Sequence, residues 1–201
     1  MGKLLEAARS WDCLNNVKYI LDISHKGKLK QIELTFLYED FPHAAGMQYA
    51  QDVDFGVRTS EIYGKKLIPA LLSGCIKDSQ IEKSKNWERI SFRLNTIIQL
   101  QEILDSDFII RAFDKRKVPY YSTIEALYVI KSERLNTVCF VFLDERSGRY
   151  YCKSAFENPK CDYITNQTPM TVLRKTKIIG GTSLVLFNNP GYKEEYSLQL
   201  R

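Results

Sequence analysis

Apolar and polar residues alternate in four short runs in the second half of the chain. The runs cover residues 121–130, 137–143, 150–156 and 171–179, and they are rich in β-branched and aromatic residues. This alternation and this composition predict β-strands. The charged breaks at 133–136 and 145–148 are short enough for hairpins. We therefore expect a mainly antiparallel sheet of about four strands.

The first half of the chain has mixed periodicity. Apolar residues at helical spacing predict a helix over Lys3–Leu14 and a long helix over 81–104, with shorter helical segments at 44–51 and 58–76. Alternation predicts strands at 17–24 and 28–38, joined by a turn at 25–27, then one at 108–113 and an edge strand at 182–187. The sequence therefore predicts a single α+β domain over 1–201. It would have a mainly helical lobe with a β-hairpin (1–106), packed on an antiparallel sheet lobe (107–187), and a loosely held tail (188–201).

Composition narrows the class of protein. The chain has 201 residues, of which 44% are hydrophobic and 26% are charged, which is typical of a globular domain. Its five cysteines include no C-x-x-C pair, which argues against a disulfide framework and against a structural zinc site. No apolar run approaches the roughly 20 residues of a membrane span, and the N-terminus has no signal-peptide pattern. We expect a cytoplasmic protein without a membrane partner.

Positive charge is concentrated in the predicted sheet. The chain carries a net charge of +5, and residues 108–180 hold 13 basic and seven acidic side chains. A basic sheet favours a polyanionic partner such as RNA, because binding releases counterions from the phosphate backbone. A solvated strand face with no partner explains the same pattern equally well.

His43 is the strongest candidate for acid–base chemistry. It follows a proline at the end of a predicted strand and precedes a helical segment, so its ring can be held at the rim of a cleft. Imidazole can take and return a proton near pH 7, which is what cleavage of RNA through its 2′-hydroxyl requires. The alternative is a histidine that caps the following helix. The other histidine, His25, lies in a charged turn, where a solvated side chain is the simpler interpretation.

Basic and hydroxyl side chains in the last strands are the other candidates. Arginine and lysine can hold a phosphate, and hydroxyl and amide groups can orient its oxygens. Arg93, on the long helix, either reaches the same cleft or pairs with a nearby carboxylate. Tyrosine can stack an unpaired base. The predicted catalytic residues are His43, Arg93, Ser154 and Lys175, and the predicted substrate-binding residues are Lys153, Tyr163, Gln167, Thr168, Arg174 and Lys177. No metal-ligand spacing, phosphate loop or dinucleotide motif occurs, so we expect no cofactor.

The order of these motifs resembles a known family. Residues 41–46 (FPHAAG), with Asp52 downstream, are similar to the F-x-H-x-x-G signature of the phage barnase–EndoU–colicin E5/D–RelE-like nuclease type 4 family. Further similar stretches lie at 83–93, 100–106 and 154–156, and at Tyr163, Gln167, Thr168 and 173–175. The similarity extends from about residue 4 to residue 180.

The resemblance implies a helical part packed on a four-stranded antiparallel sheet and a metal-independent RNase activity. It also implies a phage or mobile-element toxin or effector, with an antitoxin or immunity protein as a partner. Two hypotheses follow. The first is a ribonuclease in which His43 transfers protons, Arg93 and Lys175 bind phosphate, and Ser154 and Gln167 orient it. The second is a non-catalytic module that binds nucleic acid or a host protein with the same basic sheet.

Overall fold

The helices pack mainly against one another and against one strand. The computed structural model describes residues 2–134, 137–158 and 160–192. Within these ranges the α-helices are α1 (Lys3–Leu14), α2 (Phe41–Ala44), α3 (Thr59–Ile62), α4 (Leu67–Leu72), α5 (Trp87–Ile98) and α6 (Leu100–Asp105). Short 3-10 helices cover Met47–Tyr49, Asp78–Lys83 and Lys115–Lys117. None of these helices has the length and apolar character that crossing a membrane requires.

Eight strands in the described part of the chain form one continuous sheet. They are β1 (Val17–His25), β2 (Lys28–Thr35), β3 (Ile109–Ala112), β4 (Tyr128–Arg134), β5 (Thr137–Arg146), β6 (Arg149–Glu157), β7 (Thr168–Ile179) and β8 (Thr182–Asn188). Their order is β1-β2-β6-β5-β4-β3-β7-β8, and β1 also pairs with β7. The first seven strands therefore close into a barrel, and β8 is an additional strand on β7.

The predicted fold, a helical lobe packed on an antiparallel sheet of about four strands, is wrong. The β1–β2 hairpin is part of the barrel wall, because β1 pairs along its length with β7. The sheet is also mixed rather than antiparallel, since β2 and β6 meet in parallel at Leu34 and Tyr150. Alternation along a strand identifies the strand and its buried face, but it does not determine which strand pairs with it. Closure depends on contacts between residues about 150 positions apart in the chain.

Local boundaries also differ from the predicted ones. The helix predicted over 81–104 is a 3-10 turn followed by α5 and α6, which are separated at Gln99. Residues 121–126, predicted as the start of a strand, have no regular structure, and β4 begins at Tyr128. Of the predicted tail, Asn188 ends β8 and residues 193–201 lie outside the described ranges.

Two hydrophobic clusters lie on opposite faces of β5. Cys139, Val141 and Leu143 belong to the main core, which also takes in the buried sides of α1 and α5. Phe140 and Phe142 point the other way, into a smaller aromatic cluster with Phe113, Phe156 and Tyr163. This second cluster lies beside the cavity described next, so it fixes the position of that cavity's wall.

Candidate active site

Arg93 is the most unusual side chain of the described residues. It is only 6% exposed and lies on α5, one residue before the core residue Leu94. Its hydrogen-bond partner is the hydroxyl of Ser154 on β6, which accepts a bond from Nη1 at 2.7 Å. Its Nε is buried without a partner in the described part of the chain. A buried cation normally pairs with a carboxylate, and no carboxylate of the described residues forms an ion pair with Arg93.

Aromatic rings take the place of that carboxylate. The Arg93 guanidinium lies 5.1 Å from the centroid of the Tyr49 ring and 5.2 Å from that of Phe156. Such contacts stabilise a cation but do not use its N–H donors. Burial lowers the pKa of Arg93, and the neighbouring Arg89 cation lowers it further. Arginine nevertheless remains protonated in proteins. The result is a fixed positive charge with unused donors.

Gly46 allows Arg93 to take this position. Its φ of +80° is a left-handed conformation that glycine adopts without strain. A Cβ at this position would lie 2.5 Å from Cδ of Arg93. The glycine of the F-x-H-x-x-G stretch therefore has two structural roles, a turn and a close approach of the arginine.

The segment after Gly46 fixes the start of α5. Asp52 accepts hydrogen bonds from the Ser84 hydroxyl at 2.8 Å and from the backbone N–H of Lys85 at 2.7 Å. The Asn86 side chain donates to the Tyr49 carbonyl at 2.8 Å. These bonds tie the histidine-bearing segment to the helix that carries Arg93. The downstream aspartate of the sequence pattern thus positions the site rather than forming part of it.

His43 lies within electrostatic range of Arg93. It is the third residue of α2, and its side chain is exposed while both neighbours, Pro42 and Ala44, are buried. Partial desolvation lowers the pKa of His43 below its ordinary value, and the cations Arg93, Lys153 and Arg146 lower it further. Its imidazole is therefore mainly neutral at pH 7 and can accept a proton.

A bulge in β6 brings Ser154 and Lys153 to this place. Phe142 pairs with Ser154 while Leu143 pairs with Cys152, so Lys153 is the extra residue. Bulges commonly redirect side chains next to functional sites. The Lys153 ammonium bonds to the Asp144 carboxylate at 2.6 Å. Its charge is thus partly neutralised, although it still acts on His43.

A cavity of about 380 Å³ opens beside Arg93. This volume falls in the range of small-molecule sites. The cavity is lined by residues of α5, of the segment before β4, of the end of β6 and of the segment that follows β6. They include Glu88, Arg89, Phe92, Arg93, Tyr121, Phe156, Glu157 and Tyr163. Arg89 is held by Tyr49, whose hydroxyl accepts a bond from Nη2 at 2.9 Å. Two arginines and several aromatic rings thus share one concave surface.

The predicted site residues in and next to β7 do not lie beside Arg93 and Ser154. In the barrel β6 neighbours β5 and β2, whereas β7 neighbours β1, β3 and β8, so the two strands are not adjacent. The structure therefore brings together His43, Arg93, Ser154 and Lys153, with Tyr163 in the cavity wall. It places Gln167, Thr168, Arg174, Lys175 and Lys177 outside that cavity. Lys175, predicted as a catalytic residue together with His43, is not among the cations that lower the pKa of His43.

Two lysines of β7 have hydrogen-bond partners within the protein. Lys175 is buried, and its ammonium bonds to the Ser106 carbonyl and faces the Phe108 ring. Lys177 forms an ion pair with Asp105 at 2.7 Å.

Three more of the predicted residues lie in or next to β7. The Gln167 amide bonds both to the N–H and to the carbonyl of Asp114, at 2.7 and 3.0 Å. Thr168 pairs with Ala112, and Arg174 lies opposite Asp22 of β1. The hydrogen bonds of Gln167 therefore hold the start of β7 against Asp114, just as Lys177 holds β7 against Asp105.

Tyr49 and Arg89 are site residues that the sequence analysis missed. Arg89 lies four residues before Arg93, so the two share a helix face, and that spacing was the available signal. Tyr49 follows Gly46 by three residues, and nothing in its local pattern distinguished it. Cys139 and Cys152 are buried, and burial raises the pKa of the Cys152 thiol to about 12. In the described ranges no group of three or more potential ligands is arranged to hold a metal ion.

A buried arginine with free donors, beside an exposed histidine and an aromatic cavity, defines a site suited to an anionic, ring-bearing molecule. The family model of the phage-Barnase-EndoU-ColicinE5/D-RelE like nuclease 4 matches residues 3–177. The chain belongs to this nuclease family, as its motifs had indicated. No curated protein and no solved structure matches the chain.

Replacement of Gly46 by alanine should destabilise the protein more than the same change at Gly27. Both glycines have similar positive φ values, +80° and +78°, but a Cβ at Gly27 has nothing within 4 Å. The shared backbone strain costs about 1–2 kcal/mol, and displacing Arg93 should add about 1–3 kcal/mol at Gly46 alone. Urea denaturation of Gly46→Ala and Gly27→Ala measures the difference. Equal losses would show that Arg93 does not depend on this contact.

The pKa of His43 should lie below 6.5, the ordinary value, and should rise when a nearby cation is removed. Removing positive charge stabilises the protonated imidazole, so the pKa moves up in Arg146→Gln. An NMR titration measures this pKa, and the signal of His43 is easily assigned because the chain has only two histidines. Lys18→Gln, which removes a cation that is not among the causes of the shift, is the matched control and should leave His43 unchanged. A pKa at or above 6.5 in the wild type contradicts this electrostatic description.

Proposed function

We propose that the protein is an endoribonuclease that cleaves RNA by attack of the 2′-hydroxyl on the adjacent phosphate, without a metal ion. The observation that carries this proposal is the buried, carboxylate-free Arg93 within electrostatic range of His43. Family membership supports a nuclease, and the site supports this mechanism for it. A role as a phage or mobile-element toxin, with an inhibitor protein as partner, would follow from the same family.

His43 is the proton-transfer residue. Its lowered pKa keeps the imidazole neutral at pH 7, so it can accept the proton of the 2′-hydroxyl. As the 2′-oxygen attacks phosphorus, the bond to the 5′-oxygen of the next nucleotide breaks. The resulting imidazolium, or a water, returns a proton to that leaving oxygen. The products are a 2′,3′-cyclic phosphate and a 5′-hydroxyl, and general acid–base catalysis of this kind contributes about 10²–10⁴-fold.

Arg93 is the phosphate ligand. Guanidinium binds phosphate oxygens through two parallel N–H bonds, and these strengthen as negative charge grows in the transition state. Its charge is already held in place by Ser154 and the rings of Tyr49 and Phe156, so little reorganisation accompanies the reaction. Ser154 acts as a positioning residue. Lys153 and Arg146 add positive charge at the rim. Lys175 is not part of the mechanism because its ammonium bonds to the Ser106 carbonyl.

We expect the wild type to cleave RNA in the presence of a chelator and His43→Ala to lose this activity. The loss should be about 10²–10⁴-fold in rate. A 2′-O-methylated RNA should not be cut, because the attacking hydroxyl is blocked. Product ends are identified by mass spectrometry as 2′,3′-cyclic phosphate.

His25→Ala is the matched control, since it removes the other histidine, which lies at the far turn of β1 and bonds to the Pro169 carbonyl. It should retain wild-type activity. Equal activity in His43→Ala and the wild type contradicts the assignment of His43. If neither protein cuts RNA but both bind it with steep salt dependence, the proposal fails and a non-catalytic binding module remains.

A further inference from the structure

The cavity beside Arg93 has a part that the proposed reaction does not use. His43 and Ser154 are not among its lining residues, whereas Arg93 is. A phosphate on Arg93 would therefore have free volume next to it. In RNA the groups next to a phosphate are a ribose and its base, and the question is which of them the cavity fits.

Exposed aromatic side chains favour the base. Phe92 on α5 is 40% exposed, and Tyr121, in the segment before β4, is 92% exposed. Both line the cavity, and they come from different elements of the fold. Together with Phe156 and Tyr163 they give this one cavity four aromatic rings, two of which are open to solvent. An aromatic ring in this setting offers a surface on which a base can stack.

The cavity is lined by negatively charged as well as positively charged side chains. Glu88 and Glu157 line it together with Arg89 and Arg93, and the described residues contain no ion pair of either glutamate with an arginine. Glu157 accepts one long bond, 3.4 Å, from the Asn95 amide, and Glu88 is exposed. These groups repel phosphate, so they do not serve its binding. They can accept hydrogen bonds from N–H groups of a base.

We propose that this cavity binds one unpaired nucleobase that carries an exocyclic amino group, next to the phosphate on Arg93. The amino group donates to Glu88 or Glu157, and the ring stacks on Phe92 or Tyr121. Cytosine, adenine and guanine carry such an amino group. Uracil and hypoxanthine carry none, and where cytosine or adenine has its amino group they present a carbonyl oxygen, which the carboxylates repel. Because the base must leave its stack to enter, the substrate is single-stranded at this nucleotide.

This inference rests on the proposed function, but equilibrium binding tests it without any turnover. Cytidine and uridine monophosphates form one matched pair, adenosine and inosine monophosphates form a second, and guanosine and inosine monophosphates form a third. Each is titrated as the 3′- and the 5′-phosphate into the full chain, and binding is followed by NMR. We expect the amino-bearing member of at least one pair to bind about tenfold tighter, because a base-edge hydrogen bond of this kind discriminates by about that factor.

Two sets of variants separate the contribution of the carboxylates from that of the aromatic rings. Glu88→Gln combined with Glu157→Gln should remove the preference between the paired nucleotides, whereas Glu82→Gln, an exposed glutamate outside the cavity, should retain it. Tyr121→Ala and Phe92→Ala should weaken both members of a pair alike, by about tenfold, since stacking does not distinguish the amino group.

The outcomes distinguish the two claims. Equal affinity within all three pairs, no binding of any nucleotide, or a preference that survives in the double glutamine variant would overturn the base site. A preference that the double variant abolishes supports the base site, whether or not RNA is cut. Absence of RNA cleavage by a protein that shows this preference would refute the ribonuclease mechanism alone.

Discussion

The burial of Arg93 without a carboxylate is the constraint on which the site depends. Removing a guanidinium from water costs several kcal/mol when it is not fully paired, and Ser154 with two aromatic rings offsets only part of this cost. Nearby features match this requirement. Gly46 leaves space for the side chain, Asp52 fixes the start of its helix, and the β6 bulge brings Ser154 into reach. A phosphate would complete the hydrogen bonding of the arginine.

Local sequence patterns predicted most elements but not their assembly. Helix α1 and the strands β1, β2, β5 and β6 lie close to their predicted positions. Each has a clear local pattern, which in β5 is a continuous apolar run. Barrel closure was not predictable, since β1 and β7 are joined by backbone hydrogen bonds that carry no side-chain signature. The parallel contact of β2 with β6 is of the same kind. An alternating strand can take several partners, and the whole chain decides among them.

The site was predictable to the extent that its residues share a motif or an element. His43 and Gly46 lie in one signature, and Arg93 and Ser154 were identified by chemistry and meet in the structure. Lys175 and Lys177 were grouped with them because they are basic and follow β6 in the chain. The barrel separates β6 from β7, so these lysines bond instead to Ser106 and Asp105. Charge and order in the sequence identified a basic protein, but only the strand order showed which of its basic residues lie near Ser154.

The most direct test of this account is to replace Arg93 by methionine and to measure the free energy of unfolding together with RNA cleavage. Methionine keeps an unbranched apolar side chain at this position without a buried charge. We expect stability to change by no more than about 1 kcal/mol, or to increase, because the lost contacts are offset by the removed desolvation cost. Cleavage should fall by at least about 10²-fold. Destabilisation by several kcal/mol, or retained cleavage, would show that Arg93 is a structural residue and would contradict the account.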